Sequence, residues 1–129
     1  MIKINIAPIL LGLCLISSSA FAELTINSKE DVQGAWKLDH TKPNANTKET
    51  NKREDSWDFK DGKVTITHIP REGTFYDQSP VPYEVEGGKL KIGILGRSDK
   101  FDVFSLVEKD EKSMTLKGKF GDLYFFVRK

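Results

Sequence analysis

Two histidines, His40 and His68, and one cysteine, Cys14, are the whole stock of imidazole and thiol in a chain of 129 residues. A metal site wants three or four converging ligands, ordinarily with His or thiolate among them, and this supply argues against one. No nucleophile elbow with a Ser, His and Asp set is visible, and no glycine-rich phosphate loop follows a strand. The expectation is therefore no enzyme, no bound metal and no cofactor. What the chain offers instead is aromatic. Trp57, Tyr83, Tyr124 and Phe126 fall on inward positions of alternating strands, where they can fill a small barrel or line a pocket. His68 continues the face of Val64 and Ile66. If that face is internal, its imidazole can donate to a ligand carboxylate or carbonyl; otherwise it is a strand-end histidine bonded to backbone or water. Phe75 and Tyr76 stand between Gly73 and Pro80 in an irregular stretch, and loops at barrel mouths carry recognition.

The elements that position these side chains begin after a leader. In residues 1–22, Lys3 is the one charge, residues 9–16 are apolar, and Ala20-Phe21-Ala22 places small residues where a signal peptidase needs them. The apolar run is too short to span a bilayer comfortably, so cleavage after Ala22 and a periplasmic or secreted destination are expected. Cys14 lies within this segment and is preceded by Leu13, which disfavours lipid attachment. The domain of residues 23–129 has no thiol, so it can hold no disulfide. It carries 19 basic and 19 acidic residues. That balance gives no electrostatic reason for nucleic acid or an anionic membrane surface as a partner, and no integral membrane association is expected.

Within residues 23–129 the period is two. Residues 23–27 form a short leader, and Ser28, with Glu30 and Asp31 after it, favours a brief helical turn. Trp36 and Leu38 share one face of an opening strand. Residues 40–54 are polar and read as a long exposed loop. Trp57 and Phe59 alternate next, and Asp61-Gly62 is the strongest hairpin signal in the chain. A strand over residues 63–69 follows, then the irregular residues 70–80. Val81, Tyr83 and Val85 alternate, with Pro82 marking an edge or a bulge. Gly87-Gly88 turns into Leu90, Ile92 and Ile94. Residues 100–107 carry Phe101 and Val103 on one face and Phe104 and Leu106 on the other, which implies a bulge or a strand covered on both faces. Met114 and Leu116 mark a further strand, and residues 124–128 close the chain. About eight short strands joined by hairpin turns predict an all-β, up-and-down antiparallel barrel preceded by a helical turn. Closure is favoured because it removes free strand edges.

These residues resemble the lipocalin and calycin group, including bacterial lipocalin-like domains. Those proteins open with a short helical turn and a Gly-x-Trp strand, and close with an Arg or Lys packed over the Trp. The matching residues are 28–33, Gly34-Ala35-Trp36, and Arg128. The resemblance implies a structural seam of Gly34, Trp36 and Arg128. It also implies an exported, non-catalytic protein that holds a small hydrophobic or amphipathic molecule, with Trp57, Tyr83 and Phe126 giving apolar contact and His68 and Tyr76 the polar groups. The chain is also similar to small periplasmic inhibitors of secreted metalloproteases, which are shortened barrels carrying a disulfide and an N-terminal tail. That second likeness implies a protein partner: an inhibitor or immunity-type protein with a filled barrel that recognises its target through surface loops, here residues 40–54 and 70–80.

Overall fold

The computed structural model describes residues 24–129. The expected signal peptide, residues 1–22, lies outside the described residues. A 3-10 turn, Lys29–Asp31, comes first, and the Asp31 carboxylate accepts the Asn27 backbone N–H at 2.8 Å. Strands follow as β1 Gly34–Lys42, β2 Asn51–Lys52, β3 Ser56–Lys60, β4 Lys63–Thr67, β5 Ile69–Arg71, β6 Thr74–Tyr76, β7 Val81–Glu86, β8 Lys89–Ile94, β9 Arg97–Lys109, β10 Ser113–Lys117 and β11 Leu123–Arg128. Eight of them, β1, β3, β4 and β7 to β11, pair antiparallel in chain order, and β11 returns to β1. The result is the expected all-β closed barrel. β2 adds a short ladder to β1, while β5 and β6 make a separate hairpin.

Closure sets Arg128 opposite Trp36 in register. The guanidinium lies 3.7 Å from the centre of the indole and donates to the Gln33 carbonyl at 2.9 Å. Gly34 has φ +114°, and a Cβ there would come within 2.6 Å of the Arg128 guanidinium. Glycine satisfies both demands, since it tolerates that backbone and leaves room for the stacked side chain.

Alternation fills the interior. Trp36, Phe59, Tyr83, Leu90, Met114, Leu116 and Phe126 are fully buried, and Trp36 and Phe59 lie at the end of the barrel where Gly34 and Arg128 meet. That end is stoppered. Ile26 and Val32 are wholly buried, Leu24 and Ile26 donate their backbone N–H groups to Leu106 and Gly88, and the Trp36 indole N–H donates to the Val32 carbonyl at 2.9 Å. Residues 24–27, read as a leader, therefore belong to the core closure.

Three sequence expectations need correction. Residues 40–54 are not one loop, because β1 runs to Lys42 and meets β2. A register irregularity at Asp39 inverts the phase of β1, so His40 pairs with Phe125 and stacks on its ring at 4.3 Å. The polar composition concealed this strand because after the irregularity His40 and Lys42 lie on the outer face with Phe125 and Leu123, and the inward position beside Tyr124 is a threonine. Residues 70–80 contain the β5–β6 hairpin, which turns at Glu72-Gly73 with both residues at positive φ, as a two-residue hairpin turn requires. Finally, β9 has no bulge between Val103 and Phe104. Plain alternation puts Phe104 and Leu106 inside and Phe101 outside under Lys91, while register shifts occur near both ends of the strand.

Candidate functional site

At the end opposite the stopper the barrel is looser. β4 and β7 share only two register pairs, Lys63 with Pro82 and Val64 with Val81. Pro82 brings no N–H to that ladder, and outside the two register pairs the Tyr83 N–H donates to the Gly62 carbonyl at 3.1 Å at the turn end and the Gln78 N–H to the Ile66 carbonyl at 2.9 Å at the mouth end. Strands that diverge leave space between them. A cavity of about 240 Å³ lies here, walled by Trp57, Ile66, Ile92, Phe104 and Tyr124, with Gln78 and Asp102 among its polar lining. A smaller depression of about 140 Å³ adjoins it, sharing Asp102, Phe104 and Tyr124 and adding Asp122, Lys119 and Phe120.

The cavity floor is an aromatic cluster. Phe126 meets Trp57 edge to face at 4.9 Å, and Phe104 meets Tyr124 the same way at 5.5 Å. Each ring reaches this place by the two-residue period, for Trp57 pairs with Ile66 across β3 and β4, and Phe126 with Met114 across β10 and β11. Such edge-to-face contacts add about 0.5 to 1.5 kcal/mol beyond burial and hold the rings in fixed positions.

The polar groups above the floor obey the same register. Asp102 pairs with Ile92 and therefore faces inward, one step above Phe104. Asp122 precedes Tyr124 by two residues and lies against Gly118, where a Cβ would come within 2.5 Å of its Oδ1. Burial, then the Asp122 carboxylate beside it, holds the Tyr124 hydroxyl above its ordinary value of 10.0. A third carboxylate at this level, Asp55, is buried and gripped by Arg53 through two hydrogen bonds of 2.9 and 2.7 Å. Two buried polar atoms have no partner among the described residues, Trp57 Nε1 and Asp122 Oδ1.

The aromatic residues expected from the sequence separate into three places. Trp57 and Tyr124 line the cavity, with Phe126 directly beneath them. Tyr83 is buried lower down, edge-on to Phe59 at 5.0 Å, with Lys29 over its ring. His68, Phe75 and Tyr76 sit apart on the outer hairpin. His68 takes φ +59°, which ends β4 and turns its ring outward to stack on Phe75 at 3.6 Å. Phe75 and Tyr76 are 44% and 42% exposed, and Arg71 lies over Tyr76. The polar side chains beside the cavity are thus Asp102, Asp122 and Gln78 rather than His68 and Tyr76. A signal for the two acids was present, since each stands two residues before an inward aromatic.

Among the described residues no group of three or more His, Cys, Asp or Glu side chains converges as a metal site would require, and no helix is long and apolar enough to cross a membrane. No protein-family model and no curated protein matches the chain. The chain is similar to one solved structure, an uncharacterized protein from Bacteroides eggerthii, at 14% identity and a TM-score of 0.61, over 77% of this chain and 100% of that one. At that identity the likeness establishes the fold alone, an eight-strand closed antiparallel barrel.

Proposed function

We propose that this protein is exported and non-catalytic, and that it holds a small apolar or amphipathic molecule in the mouth of its barrel. The observation that carries this reading is the cavity of about 240 Å³ with an aromatic floor, set above an otherwise filled interior. Its volume is just below the range usual for ligand sites, about 300 Å³ upward, so the occupant is small. Binding comes from apolar surface removed from water, at about 25 cal/mol per Å². Gln78 and the Trp57 indole N–H fix the orientation.

The test is an amide-resolved NMR titration with a series of small aromatic and aliphatic alcohols. Shifts confined to residues 92–95 and 102–104 and to the Trp57 indole, with Val32 and Leu90 unmoved, are the expected result. A series that moves none of these signals removes the reading. A mass of the protein recovered from cells that begins at Glu23 would support export, and a retained leader would count against it.

A second reading, binding of a protein partner, is favoured by one specific feature. Phe75, Tyr76, Leu95 and Phe120 are all exposed, and all sit on turns or hairpins at the mouth end, with Phe120 84% accessible. Exposed apolar groups gathered at one end often mark an interaction surface. Replacing Phe75 and Phe120 by Ser separates the two readings: small-molecule shifts persist under the first, while partner capture is lost under the second.

A further inference from the structure

We infer that the ligand of the mouth cavity is a small organic cation, an ammonium carried on an apolar body, held by Asp102 and Asp122 above the Trp57, Phe104 and Tyr124 rings. This rests on the binding reading above and names its ligand class.

Three observations lead there. The first is placement. Asp102 stands on the inward register of β9 and Asp122 immediately before β11, and both line the depression at the mouth. Asp102 lines the main cavity as well. The second is charge. Of the cations nearby, Arg53 is already engaged on both carboxylate oxygens of Asp55, and Lys119 lies over the Phe120 ring at 5.1 Å. Among the described residues neither Asp102 nor Asp122 forms an ion pair, although Lys119 lines the same depression. The third is an orphaned acceptor. Asp122 Oδ1 is buried and lacks a donor among the described residues, and an ammonium N–H supplies one.

A neutral ligand could offer the carboxylates a hydrogen bond but no opposite charge, and Asp122 already accepts one from the Tyr124 hydroxyl. A carboxylate ligand would be repelled by two like charges beside it. An ammonium meets the acids directly, and its apolar body lies on ring faces that themselves attract cations. Gly118 belongs to the arrangement, because its missing Cβ is what admits the Asp122 carboxylate.

The test uses three matched probes on the purified protein near neutral pH: 2-phenylethylammonium, 2-phenylethanol and phenylacetate. Affinities are read from NMR shifts of the Trp57 indole and of the amides of residues 102–104 and 122–124. The ammonium should bind about tenfold more tightly than the alcohol, with the phenylacetate weakest. Asp102→Asn, at an exposed position, should weaken the ammonium about fivefold and leave the alcohol unchanged. Asp122→Asn should act in the same direction. Equal affinity for ammonium and alcohol overturns the cation assignment while leaving a binding cavity in place. A response to none of the three probes overturns both the assignment and the reading beneath it.

Discussion

Arg128 is exposed along most of its length, yet its head group performs two tasks at once by covering the Trp36 indole and capping the Gln33 carbonyl. A cation over an indole contributes about 0.5 to 2 kcal/mol, and hydrogen bonds from charged donors are of similar worth. Arg128→Ala should therefore lower stability by about 1 to 2 kcal/mol in urea denaturation and leave cavity binding unaltered. Gly34→Ala should be costly for two separable reasons, its positive φ and the approach of its Cβ to the guanidinium. Only the second disappears when Arg128 is absent. Combined with Arg128→Ala, the Gly34→Ala penalty should fall, and strict additivity would disprove the contact. Tyr124 gives a pH dependence. Its folded pKa is raised above the ordinary value of 10.0, so the stabilisation it carries is fully present below about pH 10 and declines as pH rises further, because the unfolded chain ionises first. Tyr124→Phe should flatten that alkaline decline, with part left to Tyr83, also raised by burial. The seam residues were legible in the sequence because each is distinctive in type and position. Asp102, within β9, and Asp122, just before β11, were less so, since an acid in such a place is ordinary until the structure shows it lining the mouth.

Among the elements, the segment before β1 shows how composition misleads. Residues 24–27 are short and flanked by polar groups, and the single Leu24–Ile26 alternation is too brief to mark a core. The structure buries Ile26 to 1% because its backbone N–H reaches the Gly88 carbonyl and the barrel end must be stopped. Ile26→Ala should cost about 2 to 4 kcal/mol, the usual range for emptying a packed site. Leu24→Ala, at a residue 47% exposed, should cost less than about 0.5 kcal/mol. Comparable losses in the two variants, measured by chemical denaturation, would mean that the segment is not a stopper. The β5–β6 hairpin and the end of β1 were missed for a different reason. Both lie outside the apolar alternation on which strand recognition depends, and their pairing is fixed by turn geometry and by the irregularity at Asp39. The eight barrel strands, whose inner faces meet one core, were legible from alternation and turns alone.

Over the whole molecule, closure is uneven. The seam of β1 with β11 has six register pairs, including the Trp36–Arg128 stack, whereas β4 and β7 share two. A barrel opens first where fewest backbone bonds must break, so the β4–β7 wall is the place for local opening, directly beside the mouth cavity. On the proposed binding reading, the same breach supplies the route of entry to the cavity, and it follows from Pro82 and the detour of the chain through the outer hairpin. Native-state hydrogen exchange should show β4 and β7 amides beyond the two paired positions exchanging at least about tenfold faster than those of β1 and β11. Addition of a ligand that fills the cavity should slow the Gln78 amide, whose bond to Ile66 closes the wall, and leave the Arg128 amide at its original rate. Uniform protection around the ring would mean that the barrel is closed equally on all sides, and entry through the β4–β7 wall would have to be abandoned in favour of the mouth itself.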